Sequence, residues 1–277
     1  MLPYKKGMLN MKNCLTIAGS DCSGGAGIQA DLKTFSALGC FGMSVIVSVV
    51  AENTQRVISI HDVSADVIKD QIDAVFEDVR VDAVKVGMLS GSDTMTAVAE
   101  KLEEYKPKAV IDPVMIAKGG MALMAEDALG TLKSRIIPLS FLLTPNVPEA
   151  ETITGIKIQN IEDMKKAAVE IFKMGAENVL IKGGHMEGDA ADILYDGKEF
   201  HTFVQERINT KNTHGTGCTI SSAITACLAN GMNIAEAVKA AKAFVTEAIR
   251  YADNLEVGKG HGPTNHFWEF YKMKGLL

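Results

Sequence analysis

Apolar runs of strand length alternate with segments of helical period along almost the whole chain. The run Val45-Ile46-Val47-Ser48-Val49-Val50 is nearly continuous, as expected of a parallel strand covered on both faces. Similar runs predict strands at 14–18, 44–51, 83–87, 109–112, 141–144 and 179–182, with a further strand at 56–63 close behind the second. Between them the spacing predicts helices at 26–38, 65–76, 93–105, 126–136, 148–154 and 161–173. The order changes towards the end. Asp196-Gly197 between 193–196 and 199–205 is a hairpin signal. Two helices follow at 217–230 and 234–251, broken at Gly231, and a last one is expected at 264–274. This alternation predicts an α/β three-layer sandwich, a mostly parallel central sheet with helices on both faces. No repeat, low-complexity tract or linker interrupts it, so 1–277 reads as a single domain. Met8 and Met11 are alternative starts, which makes 1–10 an extension packed on nothing.

Composition narrows the partners. The net charge is −6 and no Lys/Arg cluster stands out, which argues against nucleic acid. No run of 18 apolar residues is present, so no membrane span is expected, and the first residues lack the apolar core of a signal peptide. The five cysteines are an odd number without CxxC spacing, which fits neither a disulfide framework nor structural zinc. A reducing cytoplasm suits them.

In such sheets ligands bind beyond the carboxyl ends of the strands, so chemistry is sought there. The segment Asn212-Thr-His-Gly215-Thr216-Gly217-Cys218-Thr leads into a helix of small residues. Free N–H groups at a helix start hold an anion, typically phosphate, and a thiol there loses its proton more readily. The plain alternative is a glycine turn with Cys218 packed as a small apolar residue. Gly19-Ser-Asp21-Cys-Ser-Gly-Gly25-Ala-Gly27 follows the first strand and puts a carboxylate at its end, where N-capping is the simpler role. Asp112, after 109–111, is costly at a buried strand end unless solvated, paired or near a cation. Asn146 and Glu149 form a capping-box pattern whose hard oxygens also suit Mg²⁺ held through water. Lys182-Gly-Gly-His185 sets a cation and two glycines at another strand end. His185 and His214 read as polar loop residues that no metal-ligand pattern links.

Taken in order, Gly19-Ser-Asp21-x-Ser-Gly-Gly-Ala-Gly27, Lys85-Val-Gly87-Met88-Leu89, Asp112-Pro-Val114, Asn146-x-x-Glu149, Lys182-Gly-Gly-His185 and His214-Gly-Thr-Gly-Cys218-Thr resemble the hydroxymethylpyrimidine/phosphomethylpyrimidine kinases of thiamin synthesis, in the ribokinase-like superfamily. The resemblance covers about 12–251. It implies ATP and substrate at the strands' carboxyl ends. Gly215, Thr216 and Gly217 would form the anion hole for the transferring phosphoryl, with Cys218 as catalytic base. Asn146, Glu149, Asp112 and Lys182 would serve the ATP phosphates, and Asp112 and Glu149 would support Mg²⁺, through water. Gly19, Asp21, Glu52, Met88 and Val114 would line the pyrimidine pocket. At Glu52 the family commonly has Gln. The implied partners are 4-amino-5-hydroxymethyl-2-methylpyrimidine, its monophosphate and a second copy of the chain.

Rival readings stay open at this level. A pyridoxal kinase of the same superfamily also phosphorylates a hydroxymethyl group on a nitrogen heteroaromatic ring. Gly25-Ala-Gly27-Ile-Gln-Ala30 formally matches a dinucleotide fingerprint, although it lies several residues after the strand rather than in the turn. A cysteine hydrolase would pair Cys218 with His214, four residues upstream. A non-catalytic phosphate-ligand binder would use the same glycines.

Overall fold

The computed structural model describes residues 11–117, 120–125, 127–184 and 190–277. Its first part builds β1 (Lys12–Asp21), α1 (Gly27–Ala37), β2 (Cys40–Glu52), β3 (Val57–Asp62), α2 (Ala65–Phe76), β4 (Ala83–Val86), α3 (Ser92–Tyr105) and β5 (Ala109–Ile111). The second adds α4 (Ala128–Thr131), β6 (Leu142–Leu143), α5 (Val147–Thr154), α6 (Ile161–Lys173), β7 (Val179–Ile181), β8 (Ala190–Tyr195), β9 (Phe200–Gln205), α7 (Thr216–Ala229), α8 (Ile234–Arg250) and α9 (Trp268–Met273). The strands lie in one sheet in the order β3-β2-β1-β4-β5-β6-β7-β8-β9. The stretch from β2 to β7 is parallel, β3 and β8 run against it at the two margins, and β9 pairs antiparallel with β8.

Alternation along each strand divides the core. Ala109 and Ile111 pack with α2, α3 and α6, while Val110 between them faces α7 and α8. Leu143 and Leu142 divide in the same way, as do Ile193 and Leu194. Period-two side-chain direction therefore makes both faces of the short central strands apolar.

One position breaks that rule. Lys85 lies between Val84 and Val86 in β4 and is fully buried. Its Nζ donates to Asp31 Oδ2 at 2.8 Å, and Asp31 also accepts from Thr16 Oγ1 and Ser222 Oγ, both at 2.6 Å. One carboxylate thus joins β1, β4, α1 and α7.

The structure differs from the sequence expectations at three elements. The expected helix at 126–136 is a short α turn that widens into a π turn (Leu132–Ile136) and tightens to a 3₁₀ turn (Ile137–Leu139). Pro138 lacks the N–H that a continued α-helix needs. The expected helix at 264–274 is reduced to Trp268–Met273, because Thr264 and Asn265 donate their backbone N–H groups to His214 and Ala248 instead. β1 runs on past residue 18 across a register shift, so Gly19 and Asp21 belong to its end. The hairpin at Asp196-Gly197 forms as expected, with Asp196 Oδ1 accepting from the N–H groups of Lys198 and Glu199. Residues 1–10 and His185 lie outside the described residues.

The buried pair carries a stability prediction. Lys85→Met leaves Asp31 as an uncompensated buried charge and should cost about 3–5 kcal/mol in chemical denaturation. Pairing it with Asp31→Leu should recover most of that loss. A double variant as unstable as the single one would show that the loss comes from packing, not charge.

Candidate active site

The strand order reverses around β1. The chain passes from β1 out to β2 and β3, then returns to place β4 on the other side of β1. The crevice between the carboxyl ends of β1 and β4 is the topological switch point where open α/β sheets bind ligands. Gly19 to Gly27 leaves β1 here, and Met88 follows β4. The Met88 side chain crosses to Gly19, where an added Cβ would lie 3.1 Å from its Cε. Glu52 ends β2 on the same rim.

Asp21 shapes the loop after β1. Its Oδ1 accepts from the N–H and Oγ of Ser23, both at 2.7 Å. Its Oδ2 accepts from the N–H groups of Gly25 (3.0 Å) and Ala26 (2.8 Å), and lies 2.8 Å from His214 Nε2. Ala26 is the N-cap of α1. Both oxygens are engaged, so the carboxylate organises the loop and does not face an open pocket. Burial opposes its charge, but the bonds from His214, Ser23 and Ala26 win and hold its pKa well below the usual carboxylate range.

The second loop is pressed onto the first. Gly215, the N-cap of α7, has φ +77°, and a Cβ there would overlap the carbonyl of Gly25. α7 begins at once; the Thr216 N–H bonds back to the Thr213 carbonyl at 3.3 Å, whereas those of Gly215, Gly217 and Cys218 have no backbone acceptor among the described residues. The backbone N–H of Gly27 bonds to the sulfur of Cys218, which is half-buried.

A third group lies under the start of α7. Lys182 Nζ is 2.7 Å from Asp112 Oδ1, and an added Cβ on Gly217 would sit 3.4 Å from Asp112 Oδ2 and 3.6 Å from that ammonium. Thr144 Oγ1 (3.3 Å) and Ser221 Oγ (3.5 Å) also point at Asp112. Asn146 and Glu149 form the capping box of α5, with bonds of 2.9 and 2.8 Å. Glu149 is buried, and the Met115 N–H also reaches its carboxylate. Burial pushes its pKa upward, Asp112 adds to that, and Lys182 opposes it. In Lys182 the order is reversed. Burial disfavours the ammonium, but Asp112 and Glu149 outweigh it and raise the pKa. Two acids share one lysine, so the cluster has room for further positive charge.

The family model for phosphomethylpyrimidine kinase matches residues 21–265. The chain belongs to this family. It is 51% identical over 262 residues to the hydroxymethylpyrimidine/phosphomethylpyrimidine kinase of Bacillus subtilis, covering 94% of this chain and 96% of that one. It is 52% identical over 266 residues to the thiamine biosynthesis bifunctional protein of Geobacter sulfurreducens, covering 95% of this chain and about half (53%) of that longer protein. The crystal structure of phosphomethylpyrimidine kinase from Clostridium difficile aligns with a TM-score of 0.78 at 50% identity, over 86% of this chain and 99% of that one. An ADP complex of Bacillus subtilis pyridoxal kinase aligns with a TM-score of 0.86 at 37% identity, over 94% and 99%. The ribokinase-like fold and the kinase family expected from the ordered motifs are both borne out.

Within this phosphomethylpyrimidine kinase family member, two expectations about the site change. Cys218 was expected to have a depressed pKa at its helix start. Burial instead pushes the thiol up to about 11, and the nearby charges of Asp31 and Asp112 add to this against Lys85 and the Gly27 N–H. His214 is not an ordinary loop residue. It is buried on Asp21, which engages Nε2, while the Cys218 sulfur takes its hydrogen bond from the Gly27 N–H; the hydrolase pairing has no support. His214, Asp21 and Glu52 place ligand atoms within 4.8 Å of one another. The dinucleotide reading lacks its geometry as well, because Gly25 packs against the 214 loop instead of making the turn after β1. Among the described residues, no helix is long and apolar enough to cross a membrane.

Sequence reasoning overlooked Lys85 and Asp31 as neighbours of Cys218. The signal was present, since a lysine inside an apolar strand needs a buried partner.

Glu52 gives a pH test. Burial and the Asp21 charge raise its pKa from about 4.5 to about 7, with His214 opposing. A raised carboxylate costs nothing while protonated in both states. The cost grows as pH rises through the gap and is complete above the folded value. Glu52→Gln should therefore raise the melting temperature at pH 8 and leave it nearly unchanged at pH 4.5. Equal effects at the two values would mean that the carboxylate is solvated.

Proposed function

We propose that the protein is an ATP-dependent kinase that phosphorylates 4-amino-5-hydroxymethyl-2-methylpyrimidine and then converts the monophosphate to the pyrophosphate. One observation carries this reading. The helix-opening loop Gly215 to Cys218 lies directly on the loop after β1, with the Gly27 N–H on the Cys218 sulfur. A phosphate cradle and an acceptor crevice then share one wall.

In this reading the acceptor's hydroxymethyl oxygen attacks the γ-phosphorus, the bond to the β–γ bridging oxygen breaks, and ADP leaves. Gly215 and Gly217 present free N–H groups to the transferring oxygens, and Thr216, whose N–H bonds to Thr213 at 3.3 Å, completes the turn between them. Phosphoryl transfer passes through a loose transition state, so positioning and charge neutralisation dominate. Lys182 supplies a fixed charge beside the phosphates. Asp112 and Glu149 are the hard oxygens that would hold Mg²⁺, through water, where it would neutralise phosphate charge. Their fit rests on two acids sharing one lysine. Asn146 orients Glu149 through the capping box. The thiolate form of Cys218 receives the hydroxyl proton late in the reaction. Because its thiol keeps its proton near pH 7, kcat should climb as pH rises from 7 to 9, where the thiolate fraction grows about tenfold per unit. Cys218→Ala should lower kcat by about 10²–10⁴ and remove that slope while ATP binding changes little. Near-normal turnover in that variant would leave Cys218 as packing.

Gly19, Met88 and Val114 form the apolar and backbone walls for the ring, and Glu52 reads its edge. The Glu52 carboxylate can accept from both the exocyclic amine and a protonated ring nitrogen, a contact worth about 1.5–3 kcal/mol. Pyridoxal lacks that amine, so Glu52→Ala should hurt the aminopyrimidine about tenfold or more and pyridoxal less.

The likeness to pyridoxal kinase structures gives the second reading a concrete form, and one assay separates the two. The protein is incubated with Mg-ATP and each acceptor, and product masses are read. One and two added phosphates on the pyrimidine support the proposal. A monophosphate alone, with faster turnover of pyridoxal, supports the alternative. For the metal, Glu149→Gln should raise the Mg²⁺ needed for half-maximal rate. A lower melting temperature with an unmoved Mg²⁺ curve would reduce Glu149 to a capping residue.

We also propose a single domain and a cytoplasmic homodimer. Free thiols at all five cysteines suit a reducing compartment, and the β3 margin with exposed Ile58 suits a second copy.

A further inference from the structure

The imidazole of His214 sits where the two loops meet. Its Nε2 is 2.8 Å from Asp21 Oδ2, across 193 residues of sequence, and the residue is 8% exposed. The ring fills the space that a side chain on Gly25 would take. Its backbone is fixed independently, because its N–H donates to Gly262 at 3.0 Å and its carbonyl accepts from Thr264 at 3.3 Å. Asp21 meanwhile gathers the N–H groups of Ser23, Gly25 and Ala26. The residue after His214 is the N-cap of α7, and the residue after Ala26 carries the N–H that meets Cys218. The pair therefore joins the acceptor wall to the phosphate cradle one residue from each contact point.

We propose that His214 and Asp21 are positioning residues that clasp the two loops, so that the acceptor's hydroxymethyl oxygen, and not water, meets the γ-phosphoryl. This rests on the proposed reading of Gly215 to Cys218 as the transfer site. The clasp touches neither reacting atom. It acts by holding the Gly25 carbonyl against Gly215, which closes the seam through which solvent would reach the phosphate. In the competing reaction a water oxygen attacks the γ-phosphorus, the same bond to the bridging oxygen breaks, ADP leaves and the water's proton passes to solvent. Loosening the seam slows transfer and favours that hydrolysis. A purely structural contact would lower the amount of folded enzyme and leave the partition alone.

The test measures ADP formed per phosphorylated pyrimidine, together with ATP affinity, in His214→Ala, Asp21→Asn and the double variant. In His214→Ala the transfer kcat should fall about 10–100-fold, as expected for lost positioning. The ADP-to-product ratio should rise several-fold and ATP affinity should hold. The double variant should fall short of the sum of the two singles, because they share the His214–Asp21 contact. His214→Gln keeps an N–H donor and should recover much of the coupling. It carries the measurement if the alanine variant does not fold. An unchanged ratio, or single effects that add in the double variant, would overturn the clasp. Cys218→Ala is assayed in parallel. If it transfers normally, Cys218 has failed as the base, and the clasp is judged by the ratio in its own variants. If it is crippled while the clasp variants keep a wild-type ratio, only the clasp has failed.

Discussion

The site depends on a backbone contact that no side chain could make. The Cα of Gly215 lies so close to the carbonyl of Gly25 that a Cβ would overlap it. Each loop leaves a different part of the fold, one from the end of the central strand β1 and the other into helix α7. Their contact turns two ordinary glycine turns into one enclosure. Polar groups that would otherwise be solvated are then engaged from both sides, as with Asp21, which accepts from its own loop and faces His214 on the other. The same closeness brings the Gly27 N–H onto Cys218.

Charge around that enclosure is arranged in pairs of unequal strength. Lys85 is matched to Asp31 within a buried network, whereas Lys182 must serve both Asp112 and Glu149. The first arrangement is saturated and supports the fold. The second sets two acids against one lysine, and burial together with the Asp112 charge raises the Glu149 pKa in spite of Lys182. Two acids facing one lysine would leave a partner for an incoming cation. Cys218 sits between the two pairs, and burial wins over the nearby cations.

Much of this was legible in the sequence, for identifiable reasons. Nearly continuous apolar runs fixed the buried strands, and the place of each polar motif at a strand end located the site. The Asn146/Glu149 capping box was visible because it depends on neighbours three residues apart. What stayed hidden depends on contacts between distant segments. Nothing local to His214 shows that Asp21 lies beside it, and nothing local to Cys218 shows that burial overrides its helix start. The expected helix at 126–136 deviated where Pro138 perturbed its hydrogen bonding, and the expected helix at 264–274 was shortened where Thr264 and Asn265 gave their N–H groups to other segments.

The central claim is that the interlocked loops support direct transfer, with Cys218 accepting a proton and never the phosphoryl group. The stereochemistry at phosphorus tests it most directly. ATP made chiral by oxygen isotopes at its γ-phosphoryl group is turned over with the hydroxymethylpyrimidine, and the configuration of the product monophosphate is determined. A single in-line displacement predicts inversion. Retention would reveal two displacements through a phosphorylated enzyme group and would contradict the account.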